Sequence, residues 1–208
     1  MTYMPTAKEL LEYSNCLKEA VSNNSTEVYF NDSILHAMII MKELFNKAAK
    51  EEQKKVCIYC GEFSLFRDET KIKVDNEKIK CSLDGLDEKG HVRWNELNFY
   101  KDLRESFKSF LKESNACLEL IIQTGLETIR NQSIWNELRR EDLMKKVKVY
   151  VPTFDLGLDH FATSTEAYRV EISDAVKTAT CCFNDKENAR VLNDCFHSLM
   201  KYSTPFDM

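Results

Sequence analysis

The fullest cluster of chemically capable residues in this sequence is a predicted hairpin, His160-Phe161 followed by Tyr168-Arg169-Val170-Glu171. Arg169 and Glu171 lie two positions apart and therefore share one face of a strand. A suitable hairpin register brings that face beside His160. An imidazole next to a carboxylate and a guanidinium can hold an anion or do acid–base work. The carboxylate orients the ring, and the guanidinium supplies positive charge. His160 and Glu171 are the candidate catalytic pair, and Arg169 is a candidate ligand contact. The same residues admit plainer roles: His160 as an interior histidine bonded to Glu171 or Asn184, and Arg169 paired with Glu171. A second cluster, Asn31, Asp32 and His36, stands where a strand gives way to an apolar helix. Asn31 and His36 are candidate ligand contacts there, with capping and packing as the structural alternatives. Asn184 follows a later strand and is the last candidate contact, while Asp185 beside it reads as an N-cap.

Other chemistries lack their residues. The sequence contains no P-loop, dinucleotide glycine fingerprint, GxSxG elbow or HExxH motif, and its histidines are dispersed at 36, 91, 160 and 197. Cys57 and Cys60 form a CxxC, but within Val56-Cys57-Ile58-Tyr59-Cys60, a predicted strand. Residues three apart on a strand point to opposite faces, whereas a zinc knuckle needs both thiols on a turn and a second ligand pair. The adjacent Cys181 and Cys182 make a poor second pair. No metal and no cofactor are therefore expected. The eight cysteines read as reduced thiols buried like small hydrophobes in a cytoplasmic protein. In keeping with that, Met1 to Pro5 leads into a charged helix rather than an apolar leader. The longest apolar run, Ala37 to Met41, is too short to cross a bilayer.

These residues must be positioned by regular elements, and hydrophobic periodicity predicts an ordered series of them. A helix opens at the capping box Thr6-Ala7-Lys8-Glu9 and runs to about Val21, before the polar break Ser22 to Ser25. Thr26 to Phe30 reads as a strand, and Asn31-Asp32-Ser33 as the cap of a deeply packed helix over Ile34 to Lys50. Lys55 to Cys60 is a strand ended by Gly61, and Phe63 to Phe66 begins a helix. The segment 80–93 reads as a loop insertion, with a turn at Ser82 to Gly85. A helix over Trp94 to Glu113 places Phe99, Leu103, Phe107 and Phe110 or Leu111 on one stripe. Further strands are predicted at Cys117 to Ile122, Val147 to Val151, His160 to Thr163, Ala167 to Glu171 and Thr178 to Phe183. Helices are predicted at Ile134 to Leu143 and after Asp185. Trp94 and Trp135 read as core or interface anchors. The β-α alternation with an antiparallel ending predicts an α/β fold, a mixed sheet flanked by helices on both faces.

Composition sets the remaining bounds. At 208 residues, 43% of them hydrophobic, the chain suits one domain with a sizeable core, and five Gly and three Pro leave little room for long flexible linkers. The net charge of −5 argues against a generally basic nucleic-acid surface. The best local patch is Arg139, Arg140, Lys145, Lys146 and Lys148, read as the solvated end of a helix and the start of a strand, with anion binding as the alternative.

In their order, the elements around Asn31-Asp32-x-x-x-His36, the His160 hairpin, Cys182-Phe183-Asn184-Asp185 and the terminal helix resemble one half of the phospholipase D-like fold. They are especially similar to small bacterial members whose catalytic signature has decayed. The resemblance runs from about Thr26 to the end, omitting the first helix and Ser82 to Arg93. The active pattern of that superfamily is H-x-K-x4-D followed by a strand bearing an Asn. Its histidine attacks a phosphodiester, its lysine neutralises phosphate charge, and a histidine from another copy serves as acid. Here His160 matches the histidine and Asn184 the downstream asparagine, whereas Ala162 and Ala167 stand where lysine and aspartate are expected. Loss of the lysine removes a charge-assisted clamp, and loss of the aspartate removes the partner that orients the ring. Arg169 and Glu171 are candidates to replace them.

The resemblance therefore implies a non-catalytic module that binds a partner protein or an anionic ligand. By analogy such a module is an accessory or sensing component of a bacterial defence or mobile-element system, and it assembles as a homodimer. The alternatives are a metal-independent phosphodiesterase or nuclease centred on His160 at a homodimer interface, and a structural subunit of a larger complex. Nucleic acid is a weaker expectation, and no membrane partner is expected.

Overall fold

Along the strand Lys55–Cys60, side chains alternate between two apolar environments, and that alternation organises the molecule. Val56 and Ile58 join a large core with Leu44, Phe45, Phe107 and Trp135, whereas Cys57 and Tyr59 join a smaller one with Ile121, Phe161, Phe196 and Leu199. A strand buried on both faces requires helices on both sides of its sheet. A computed structural model provides that arrangement for residues 5, 7–66, 71–73, 91–93, 98–124, 130–154, 157–173 and 178–207.

The helices are α1 (Ala7–Ser22), α2 (Ile34–Ala48), α3 (Asn98–Lys112), α4 (Ser133–Arg140) and α5 (Lys186–Met200). The strands are β1 (Tyr29–Asn31), β2 (Lys55–Cys60), β3 (Lys71–Lys73), β4 (His91–Arg93), β5 (Cys117–Ile122), β6 (Val147–Pro152), β7 (Phe161–Thr163), β8 (Tyr168–Ser173), β9 (Thr178–Cys182) and β10 (Ser203–Phe206). Eight strands form one mixed sheet in the order β1-β9-β8-β7-β2-β5-β6-β10. β2, β5 and β6 run parallel, and every other pairing in that sheet is antiparallel. Residues of α1 to α4 pack into the large core, while Phe196 and Leu199 of α5 cover the opposite face. The fold is thus the expected mixed α/β sheet with helices on both faces.

Local chemistry explains most boundaries. Ser33, not Asn31 or Asp32, caps α2, its Oγ accepting the His36 N–H at 3.2 Å. Asp185 caps α5 by accepting from the Asn188 N–H. Ser64–Phe66 forms a 3-10 turn, with Phe63 stacked on Phe66 at 4.7 Å, and any continuation of the expected helix lies outside the described residues. β1 is shorter than the predicted Thr26 to Phe30. The sequence reading had no counterpart for β10, an edge strand paired with β6 whose Pro205 an edge position tolerates. His91–Arg93 is a strand paired with Lys71–Lys73, not loop. The rest of the expected insertion, the cap at Thr6 and Trp94 lie outside the described residues. Trp135 is fully buried. No helix among the described residues is long and apolar enough to cross a membrane.

Candidate functional site

The β7–β8 register pairs Phe161 with Val170 and Ala162 with Arg169, and the Glu171 N–H donates to the His160 carbonyl at 2.8 Å. Directly paired residues point to the same face of a sheet. Ala162 belongs to the large core, so His160, Arg169 and Glu171 are turned toward α2. His160 Nδ1 lies 2.9 Å from Glu171 Oε2, and Arg169 Nη1 donates to Glu171 Oε1 at 3.0 Å. A bulge in the β8–β9 pairing follows directly after Glu171, a feature that commonly re-aims side chains beside functional sites.

The three side chains meet a cavity of about 280 Å³ between the start of α2 and the sheet. Ser33, Ile34, Ala37 and Met41 form its helical side, and Ile58, Cys60 and Ala162 its sheet side, with Phe63 and Phe66 closing one end. An apolar concavity with a few convergent polar groups is the usual form of a small-ligand site. The carboxylate is held at the cavity wall, with side-chain exposure of 23% for Glu171, 21% for His160 and 9% for Arg169.

Electrostatics fixes the charge states. Burial would raise the Glu171 pKa, but the hydrogen bond from His160 and the charge of Arg169 outweigh it and hold the carboxyl down at about 2. Glu171 is therefore an anion at neutral pH, matched by Arg169 through one oxygen and offering the other to His160. A carboxylate on Nδ1 favours the tautomer that carries its proton there and leaves Nε2 as the reactive nitrogen. Nε2 lies 3.2 Å from Gln123 Oε1. Burial raises the thiol of Cys60 on the cavity wall well above the ordinary range, which leaves it protonated and unreactive.

Of the residues singled out from sequence, His160, Glu171 and Arg169 converge, and the other three do not join them. Asn31 is buried and sits across Ala179 from Glu171 in the strand register, outside the cavity lining. His36 turns its Nδ1 to Asp32 at 2.8 Å under the ring of Tyr13, whose centroid lies 4.3 Å away. Burial lowers its pKa despite that carboxylate. Asn184 donates its amide to the Asn24 carbonyl at 2.8 Å, tying two loops together. In the basic run, Arg139, Lys145, Lys146 and Lys148 are engaged by Asn136, Asp142, the Glu113 carbonyl and Glu119 respectively, and Arg140 is exposed at the end of α4. Cys57 and Cys60 face opposite sides of β2, and no cluster able to hold a metal occurs among the described residues.

Three neighbours escaped the sequence reading. Gln123 follows β5 without any motif to mark it. Tyr59 sets its ring edge-on to His160 at a centroid distance of 5.8 Å. Gly61 lies against the imidazole, and its position at a strand end was the one available signal.

No family model matches the sequence, and no curated protein matches it. Among solved structures, the chain is similar to TrmBL2, an archaeal chromatin protein described as having a novel mode of DNA binding. That likeness has a TM-score of 0.52 and 13% identity, covering 96% of this chain and 64% of that one. It is a likeness of fold. The chain is also similar to Nuc from Salmonella typhimurium, a phospholipase D family member, at a TM-score of 0.45 and 9% identity, covering 88% of this chain and 97% of that one.

Proposed function

We propose that this chain is a phospholipase D-like module that binds a singly charged anionic ligand in the His160 cavity and does not turn it over. The observation that carries the reading is the Arg169–Glu171–His160 chain of contacts on the wall of a mostly apolar cavity whose other polar lining includes Ser33 and Glu62. The charges of Arg169 and Glu171 cancel, so the triad gains a net positive charge when His160 takes up a proton. The α2 N-terminus, whose Ser33 and Ile34 line the same cavity, adds partial positive charge. Glu62 also lines the cavity, so a single negative charge is the most such a site can neutralise. Turnover of a phosphodiester demands more. Among the described lining residues Arg169 is the one permanent cation, it is spoken for by Glu171, and Ala162 stands where the resemblance expects lysine.

The test is calorimetric titration with dimethyl phosphate, whose charge is constant between pH 6 and pH 8. The expected result is binding that weakens toward pH 8 and disappears in His160→Ala. Absence of binding at both pH values, or binding indifferent to that substitution, would sink the reading.

A phosphodiesterase with an altered site is the second reading, favoured by the carboxylate on Nδ1 of His160. It predicts hydrolysis of bis(p-nitrophenyl) phosphate that is lost in His160→Ala, and no hydrolysis by the wild type removes it. A second copy of this chain is the proposed partner, by the same resemblance. The 65% exposed Phe30 on edge strand β1 is available to it, and sedimentation at rising concentration tests it. DNA binding, described for the archaeal chromatin protein, has the acidic net charge of −5 against it here.

A further inference from the structure

The surroundings of His160 Nε2 are set by two strand ends. β2 and β5 pair in parallel as far as Cys60 and Ile122, and the ladder continues beyond them. The Gln123 N–H donates to the Cys60 carbonyl at 3.1 Å and the Thr124 N–H to the Gly61 carbonyl at 2.8 Å. Thr124 Oγ1 donates to the same Gly61 carbonyl at 3.2 Å. The backbone therefore fixes Gln123 beside Gly61. A Cβ at Gly61 would stand 3.0 Å from His160 Cε1 and 3.1 Å from Nε2, so that edge of the ring rests on bare backbone. Gln123 Oε1 then takes up Nε2 at 3.2 Å.

We propose that Gln123 is a masking and specificity-determining residue, whose amide occupies His160 Nε2 and must be displaced by any ligand that engages this nitrogen. The proposal rests on the reading of the cavity as a ligand site. A glutamine suits the task because its amide serves either protonation state of the ring. As placed, its oxygen accepts from an imidazolium Nε2–H, and after rotation of the amide its NH2 donates to a neutral Nε2. Held in this way, the imidazole is neither a free nucleophile nor a free base. It becomes a wall group that releases its Nε2 to a stronger acceptor. An oxyanion is such an acceptor, because its charge adds a Coulombic attraction to the imidazolium that a neutral amide lacks. Gln123 thereby selects oxyanions over neutral ligands.

The experiment is site-resolved labelling with diethyl pyrocarbonate, read by mass spectrometry. The imidazole nitrogen attacks one carbonyl, forms an N–C bond and expels ethyl carbonate, which decomposes to ethanol and carbon dioxide. Removing one neutral hydrogen bond is expected to raise the His160 labelling rate about three- to tenfold in Gln123→Ala. His36 and His197 serve as internal references and are expected to keep their rates. Gln123→Asn, which retracts the amide by one methylene, is expected to give the same direction and covers the case in which the alanine variant folds poorly. An unchanged His160 rate in a variant with native circular dichroism overturns the proposal, as does a rise shared by all histidines. Dimethyl phosphate titration separates the two readings. A selective rise at His160 without anion binding leaves the mask and removes the ligand site, whereas anion binding with an unchanged His160 rate removes the mask alone.

Discussion

His160 and His36 each hold a carboxylate on Nδ1, at 2.9 Å from Glu171 and 2.8 Å from Asp32, yet the two pairs are different objects. The His36 pair is local, one turn of chain at the start of α2, with Asp32 50% exposed and Tyr13 laid over the ring. That imidazole lies outside the cavity lining. The His160 pair is built across the β7–β8 hairpin, with Arg169 behind the carboxylate, Gln123 on the far nitrogen and a cavity in front. A histidine–carboxylate pair by itself says little. What separates the two is the counter-charge behind the acid and the open volume before the ring.

Four measurements test this contrast. The largest effect is expected from Glu171→Ala, which leaves Arg169 buried without its ion-pair partner. It should lower unfolding stability by about 3–5 kcal/mol in denaturant titrations. A loss no greater than that of an exposed pair would mean that Arg169 is not held by Glu171.

The second effect is acid sensitivity. The Glu171 carboxyl is lower in the folded chain than in the unfolded one, so its contribution is fully present above the unfolded value and disappears as pH falls through about 2. Between pH 4.5 and pH 2, the wild type should lose about 2–3 kcal/mol more than Glu171→Gln does, because each unit of pKa shift corresponds to about 1.4 kcal/mol. Parallel pH–stability curves for the two proteins would contradict the depressed carboxyl.

Ligand affinity divides the histidines themselves. His160→Ala should weaken dimethyl phosphate binding at least about tenfold, equivalent to about 1.4 kcal/mol, whereas His36→Ala should leave it unchanged. Equal losses would merge the two regions that the structure separates. The smallest effect is expected from Asp32→Ala, where a half-exposed pair is worth less than about 1 kcal/mol. A larger loss would make the His36 pair an element of the fold rather than a surface contact.

The convergence at the site was partly legible. Arg169 and Glu171 could be placed on one face from their spacing, since side chains alternate along any strand. The other expected contacts were not separable by sequence. Asn31 and Asn184 occupy strand ends, where an amide can serve a ligand or a neighbouring loop with equal chemical ease, and only the loop at Asn24 shows which Asn184 does. Gln123 carried no mark, because its role depends on the parallel pairing of β2 with β5, strands separated by a long stretch of chain. β10 was missed for a related reason: a short edge strand containing proline has too little periodicity to register, and its pairing with β6 is a tertiary matter.

Sequence was enough for the order of the principal helices and of seven of the main sheet's eight strands, the alternation that buries β2 on both faces, the apolar wrap of α2 and the caps around Ser33 and Asp185. All of these follow from local periodicity and hydrogen-bonding chemistry within a few residues. Only the folded chain sets the strand order, the hairpin register that seats Glu171 on His160, and the different surroundings of His160 and His36. Those outcomes depend on which distant backbones pair, and a one-residue slip of register would have turned Arg169 and Glu171 to the opposite face.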